Sequence, residues 1–341
     1  MKQPQNILNN FNKQKNILCF SIIVTGRCNA NCSYCHFFAT HDRKNIGYDI
    51  TDALFDTYVL FISEAKKILP INIEIQCRFS GGEPLLLGDR IFDLATRVYS
   101  FTHIMPYILT NGEAIDKKFV NLAKKSYLNH LYVSIENPLD PDKGAPDPIK
   151  IMNKIKKYNS EDFPIIPGVT VIKNEHFKNL YKICRIFYEK VGYLPVFSEV
   201  SFNSFGSPTR KQLNDLYKNV FKVVRCFYPK TAIRLFPDIS PELYCGGHGH
   251  YILQLDLENS YKLTKNNTKT KLRTVLNCLN RGYLELKCKN KNCEWYNDCR
   301  RVKWIWKEGF GKFTSDEKIK NYCNLKKTIN NAFFDALELF K

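Results

Sequence analysis

An α/β chain with parallel strands is what this sequence predicts, on three observations. Strand-type and helix-type segments alternate from Ile17 to about Pro229. Each polar motif of that region stands where a strand-type segment ends, the edge at which parallel α/β architectures bind ligands. A hydrophobic content of 44%, 13% of the chain being aromatic, argues against disorder, and 341 residues are enough for one full domain and a smaller one.

The strand-type segments are Ile17–Thr25, Ile71–Phe79, Tyr107–Thr110, Leu131–Ile135, Ile165–Ile172 and Val196–Phe202. The second alternates through Ile71, Ile73, Ile75, Cys77 and Phe79. Between the strands, the first helix is expected at Thr51–Leu69, where Leu54, Tyr58, Phe61, Ile62, Ala65 and Leu69 recur at three- and four-residue steps with Asp49 or Thr51 as cap. Further helices are expected near Arg90–Phe101, Lys117–Lys125, Pro148–Tyr158, Phe177–Val191 and Lys211–Phe227. Six βα units in succession imply right-handed crossovers and an open sheet smaller than a closed eight-stranded barrel.

Cys28, Cys32 and Cys35 follow the first strand as C-N-A-N-C-S-Y-C. Three thiolates so close together can hold three irons of a cubane and leave the fourth open to a non-protein ligand. Zinc held by these three and His36 is the alternative, although structural zinc sites usually draw paired ligands from two separated hairpins. The second strand runs into Ser80-Gly81-Gly82-Glu83-Pro84, where paired glycines allow close backbone approach and a carboxylate can neutralise an ammonium. Thr110-Asn111-Gly112 ends the third strand, and Ser134 and Glu136 lie at the end of the fourth. Taken singly, each of these is also an ordinary turn or strand residue.

The CxxxCxxC spacing, with Tyr34 before its last cysteine, resembles the cluster-binding signature of the radical S-adenosylmethionine (SAM) enzymes, and Gly81-Gly82-Glu83-Pro84 resembles their GGEP segment. The resemblance implies a partial (β/α)6 barrel over residues 17–230, about two thirds of the chain. It also implies a catalytic [4Fe-4S] cluster whose open iron is chelated by SAM, reductive cleavage to a 5′-deoxyadenosyl radical, and an electron donor such as flavodoxin or ferredoxin. On the same ground the methionine amino group falls to Gly81, Gly82, Glu83 and Pro84, the pocket floor to Thr110 and Asn111, and the methionine carboxylate and ribose hydroxyls to Ser134 and Glu136. The family more often has aspartate at the position of Glu136.

Residues 1–16 form a polar, amide-rich segment, and residues 231–341 a small cysteine-rich extension. Thirteen cysteines without an export signal point to metal or redox chemistry rather than disulfides. Cys288, Cys293, Cys299 and Cys323 can close an auxiliary [4Fe-4S] cluster completely. This tail resembles the SPASM or twitch extension of peptide-modifying radical SAM enzymes. It departs from that pattern in the four residues between Cys288 and Cys293 and in Lys303, which stands where a further cysteine is expected. Tetrahedral zinc is the alternative for the same four thiols. Three readings compete for Cys245, set among glycines: a distant ligand, a hydrogen-atom donor to a substrate radical, or an inert buried thiol. Cys19, Cys77, Cys184, Cys226 and Cys278 read as core.

The net charge is +18, and residues 261–341 carry 19 Lys and Arg against 8 Asp and Glu. Such asymmetry attracts anionic partners: an acidic peptide, or nucleic acid stacked on Trp295, Trp304 and Trp306. The plainer account is a Lys- and Asn-rich composition with solvated lysines. No apolar run reaches membrane-spanning length and no signal-peptide core is present, so a cytoplasmic protein is expected. The 27 residues before Cys28 are too few for a separate leader-peptide domain. The function expected is hydrogen abstraction from a peptide, leading to crosslinking, oxidation or epimerisation. Action on a protein side chain, as in sulfatase-maturing enzymes, or on RNA is the enzymatic alternative, and a zinc-stabilised nucleic-acid-binding protein the non-enzymatic one.

Overall fold

The computed structural model describes residues 16–33, 35, 37, 47–69, 73–171, 174–199, 209–227, 234–235 and 250–255, with part of 324–339. Its frame is a wholly parallel sheet. The six expected strands are β1 (Asn16–Thr25), β2 (Ile73–Gly81), β3 (Tyr107–Thr110), β4 (Leu131–Ile135), β5 (Ile165–Val171) and β6 (Val196–Glu199), and they pair in chain order. Two short strands, β7 (Arg234–Leu235) and β8 (His250–Leu255), extend this partial (β/α)6 barrel at its two edges. Neither was expected, because two and six residues carry too little pattern to be read as strands.

β8 pairs in parallel with β1, from Ile17 beside His250 to Ile22 beside Leu255. An edge strand with unpaired N–H and C=O groups is thereby converted into an interior one. That explains why Leu18 through Val24 are all buried, as in strands covered on both faces. Side chains alternate across the sheet: Phe20 meets Phe61 and Phe79 meets Phe55 on the helical side. Cys19 and Ser21 of β1, with Arg78 and Ser80 of β2, therefore line the opposite, lumen face.

The helices are α1 (Asp52–Ile68), α2 (Arg90–Thr102), α3 (Lys117–Ala123), α4 (Pro148–Tyr158), α5 (Leu180–Val191) and α6 (Arg210–Phe227). Thr51 caps α1 by accepting from the Leu54 N–H; Asp49 instead forms a bidentate pair with Arg27. Asp116 and Asp147 cap α3 and α4 in the same manner. The segment expected as one helix from Phe177 is divided: Asn174–Asn179 is a 3-10 turn, and the α-helix begins at Leu180. Residues 331–336 are helical and seat Phe333 on Tyr217 and Phe221 of α6, with Asp335 paired to Arg210.

Cys19, Cys77 and Cys184 are buried, as expected of core thiols, but Cys226 is exposed. It lies in the last turn of an amphipathic helix whose buried stripe runs through Leu213, Leu216, Tyr217, Val220, Phe221 and Val223, and position 226 has rotated off that stripe. Cys278 lies outside the described residues.

Candidate functional site

The site is built on the segment from Thr25 to Ser33, which leaves the end of β1 and is fastened to three successive strand ends. At β2, the Gly82 N–H donates to the Thr25 carbonyl at 2.8 Å and the Glu83 N–H to the Arg27 carbonyl at 2.7 Å. At β3, Asn111 Nδ2 donates to Asn29 Oδ1 at 2.8 Å, and Asn29 Nδ2 donates to Glu113 Oε2 at 2.5 Å. At β4, the Asn31 N–H donates to the Gly144 carbonyl at 2.6 Å, and both the main chain and hydroxyl of Ser33 donate to Asp142. Arg27 anchors the near end through Asp49, and the Thr25 hydroxyl donates to the same carboxylate.

Glycine is required at two of these contacts. A Cβ on Gly82 would lie 2.1 Å from the Arg27 carbonyl oxygen, and one on Gly144 would lie 2.0 Å from that of Asn31. Both neighbours are main chain, so neither can yield. The sequence assigned Gly82 to close approach of a ligand; within the protein it serves close approach of the cysteine segment. Gly144 and Asp142 carried no motif, and the strap they form was visible only once the fold brought the segments that follow β1 and β4 together.

Glu83 is fully buried, and protein donors engage both of its oxygens. The Thr110 hydroxyl at 2.7 Å and the Leu85 N–H at 2.9 Å donate to Oε1, and the Asn111 N–H donates to Oε2 at 2.7 Å. Burial raises its pKa, an effect the Asn111, Thr110 and Leu85 donors oppose. The carboxylate thus ties the end of β2 to the end of β3, while Gly81 and Gly82 remain partly exposed. Pro84 begins a 3-10 turn and is buried.

The three motif cysteines are each half-buried, and the last two are joined by a turn in which the Cys35 N–H donates to the Cys32 carbonyl. Burial, followed by the charges of Glu136, Cys35, Cys28 and Asp142, pushes the Cys32 thiol up to about 12. A thiol so reluctant to ionise is held as a thiolate by a cationic centre. Among the described residues no three His, Cys, Asp or Glu are gathered closely enough to share a single metal ion. Cluster ligands have no such need, since each takes a separate iron. The residues fit a [4Fe-4S] cluster on Cys28, Cys32 and Cys35.

Ser134 is exposed at the end of β4, whereas Glu136 is 4% exposed. Burial pushes the Glu136 carboxyl up to about 7; the Asp142 N–H opposes that rise and the Asp142 charge adds to it. Asp142 itself is held low, chiefly by the Ser33 hydrogen bond. Tyr34, His36, Cys245, Cys288, Cys293, Cys299 and Cys323 lie outside the described residues, as do Trp295, Trp304 and Trp306.

With this geometry in view, the relatives are informative. Residues 22–185 match the model of the Radical SAM superfamily. That stretch is a radical SAM domain. A domain of this family implies SAM and a [4Fe-4S] cluster, the two groups the cysteine segment and strand ends are suited to hold. An uncharacterized protein of Methanocaldococcus jannaschii is 31% identical over 147 residues, which are 40% of this chain and 48% of the relative. The chain therefore spans about half the length of the curated relative it matches. Among solved structures, native anSMEcpe with bound AdoMet and Cp18Cys peptide is similar with a TM-score of 0.62 at 16% identity, covering 95% of this chain and 99% of that one. SuiB of Streptococcus suis bound to S-adenosylmethionine has a TM-score of 0.52 at 16% identity, covering 84% of this chain and 73% of that one. At such identities the likeness is one of fold, and it shows the radical SAM architecture. No helix among the described residues is long and apolar enough to cross a membrane.

Proposed function

We propose that this chain is a radical SAM enzyme that abstracts a hydrogen atom from a peptide. When bound, the cluster and SAM supply a single electron and a 5′-deoxyadenosyl radical. The observation that carries the reading is the binding of the cysteine segment to three successive strand ends, which brings it to the sheet's C-terminal edge beside the glycine turn and the ends of β3 and β4. In this reading Cys28, Cys32 and Cys35 hold the catalytic cluster. Gly81, Gly82, Thr110, Asn111, Ser134 and Glu136 line the SAM pocket, and Glu83 holds the β2 and β3 ends in register beneath it. By the family resemblance Tyr34 and Pro84 also belong to the cofactor-binding set.

A peptide substrate is supported by the likeness in fold to anSMEcpe, whose structure holds the Cp18Cys peptide. The tail reading adds one auxiliary [4Fe-4S] cluster on Cys288, Cys293, Cys299 and Cys323, suited to removing the second electron that crosslinking or oxidation requires. Epimerisation instead needs a hydrogen donor, for which Cys245 is the candidate. Flavodoxin or ferredoxin would supply the first electron.

The test is reductive cleavage: reconstituted anaerobic protein given dithionite and SAM is expected to release 5′-deoxyadenosine, and Cys32→Ala to release none. Cleavage by Cys32→Ala at the wild-type rate would defeat the proposal. Co-expression with a peptide encoded nearby separates the outcomes, since crosslinking lowers its mass by about two units while epimerisation in deuterated solvent adds deuterium in place of hydrogen. Cys245→Ala is expected to lose epimerisation with iron content unchanged.

A further inference from the structure

Arg78 stands apart from the motifs. It lies on β2 three residues before Gly81, about 10 Å along the strand from the glycine turn, on the lumen face with Ser80. Its Nε donates to Ser21 Oγ at 2.8 Å, and Ser21 Oγ is in turn hydrogen-bonded to Ser80 Oγ at 2.7 Å. Across the sheet, Arg78 is in register with Ser21 on one side and Tyr107 on the other. The guanidinium is near enough to the Tyr107 phenol and the Cys19 thiol to favour ionisation of both, although burial outweighs it at each and leaves both pKa values raised.

No carboxylate among the described residues pairs with Arg78. Glu74, four residues earlier on the same face, accepts instead from Gln76. A half-buried guanidinium whose partners among the described residues are hydroxyls is costly to desolvate, and a bound anion offsets that cost. Ser21 occupies the Nε edge and the Tyr107 hydroxyl accepts a further hydrogen bond from the guanidinium, leaving its remaining Nη hydrogens to engage a carboxylate. A phosphate diester track would call for several cations and main-chain donors, and among the described residues this stretch of the lumen offers one cation among hydroxyls.

We infer that Arg78 is the anion-recognising residue of the lumen and that the substrate presents a carboxylate to it from an acidic residue near the modified position. This inference rests on the peptide reading above and adds to it a chemical class of sequence. The expected substrate carries Asp or Glu about three residues from the reacting carbon, since the glycine turn and Arg78 are about 10 Å apart and an extended peptide rises roughly 3.3 Å per residue.

The test is a calorimetric titration of reconstituted, SAM-loaded full-length protein with two capped tetrapeptides, acetyl-Ala-Glu-Ala-Ala-amide and the same sequence with Gln. The wild type is expected to bind the Glu peptide at least tenfold more tightly. Arg78→Gln is expected to abolish that preference, and Arg78→Lys to keep part of it. Equal binding of the two peptides by the wild type, or an undiminished preference in Arg78→Gln, would overturn the inference. The first of these outcomes needs no variant, so a misfolded Arg78→Gln leaves the test intact. Displacement of the Glu peptide by an RNA trinucleotide would also overturn it, in favour of a phosphate ligand. Release of 5′-deoxyadenosine by the wild type without peptide is read separately: its absence counts against the radical SAM reading, whereas its presence with no Glu preference counts against Arg78 alone.

Discussion

Glu83 and His130 show how burial acts on a single ionisable side chain. Glu83→Gln replaces one accepting oxygen with an amide NH2, which must then face the N–H of either Leu85 or Asn111. Two opposed donors in a buried site are expected to cost about 1–3 kcal/mol. The variant should therefore show a lower denaturant midpoint and faster loss of reconstituted iron; an unchanged midpoint would mean that the carboxylate does not tie the strands. His130 stacks on Tyr107 at 4.7 Å, and burial pushes its pKa down to about 4. The unfolded imidazole, near 6.5, binds its proton first as the pH falls, so this contribution is fully present above about pH 6.5 and is lost on descending toward pH 4. Its full size is on the order of 3 kcal/mol. His130→Phe keeps a stacking ring but cannot titrate. The difference in Tm between variant and wild type is accordingly expected to shift in the variant's favour between pH 7 and pH 4, and a constant difference would contradict this.

At the level of elements, the strap after β4 and the caps of the helices have separable effects. Asp142 accepts from Ser33 twice and from the Gly144 N–H, so it closes its own loop and holds the cysteine segment at once. Asp142→Ala is expected to leave the helices intact by far-ultraviolet circular dichroism while speeding iron release several-fold, measured against a ferrous chelator. Thr51→Ala, at the cap of α1, should lower stability by about 1 kcal/mol and leave iron release unchanged, because it touches only the first turn of that helix. If Thr51→Ala released iron as quickly as Asp142→Ala, general loosening rather than the strap would account for the effect. The contrast works because Ser33 lies within the cysteine segment and Leu54 does not.

For the whole molecule, the number of iron sites is the quantity to measure. One catalytic and one auxiliary cluster predict about eight irons per chain after reconstitution, falling to about four in a variant with Cys28, Cys32 and Cys35 all changed to Ala. A fall to none would leave the tail without iron and revive zinc for Cys288, Cys293, Cys299 and Cys323. Much of the architecture was readable in advance: the six main strands, the order of the helices and the cysteine segment each rest on local pattern or close spacing. β8 escaped because six residues of HYILQL in a polar tail look the same whether exposed or paired, and its place beside β1 depends on a contact over 200 residues away in sequence. Cys226 misled because an apolar neighbourhood in sequence does not say which side of a helix faces inward. Residue order alone thus announces a parallel α/β chain and a trio of thiols, since periodicity and spacing are local properties. That Glu83 is turned inward, that Asp142 holds Ser33, and that Arg78 stands in the lumen without a carboxylate partner among the described residues had to await folding, because each depends on which distant segments the sheet brings together.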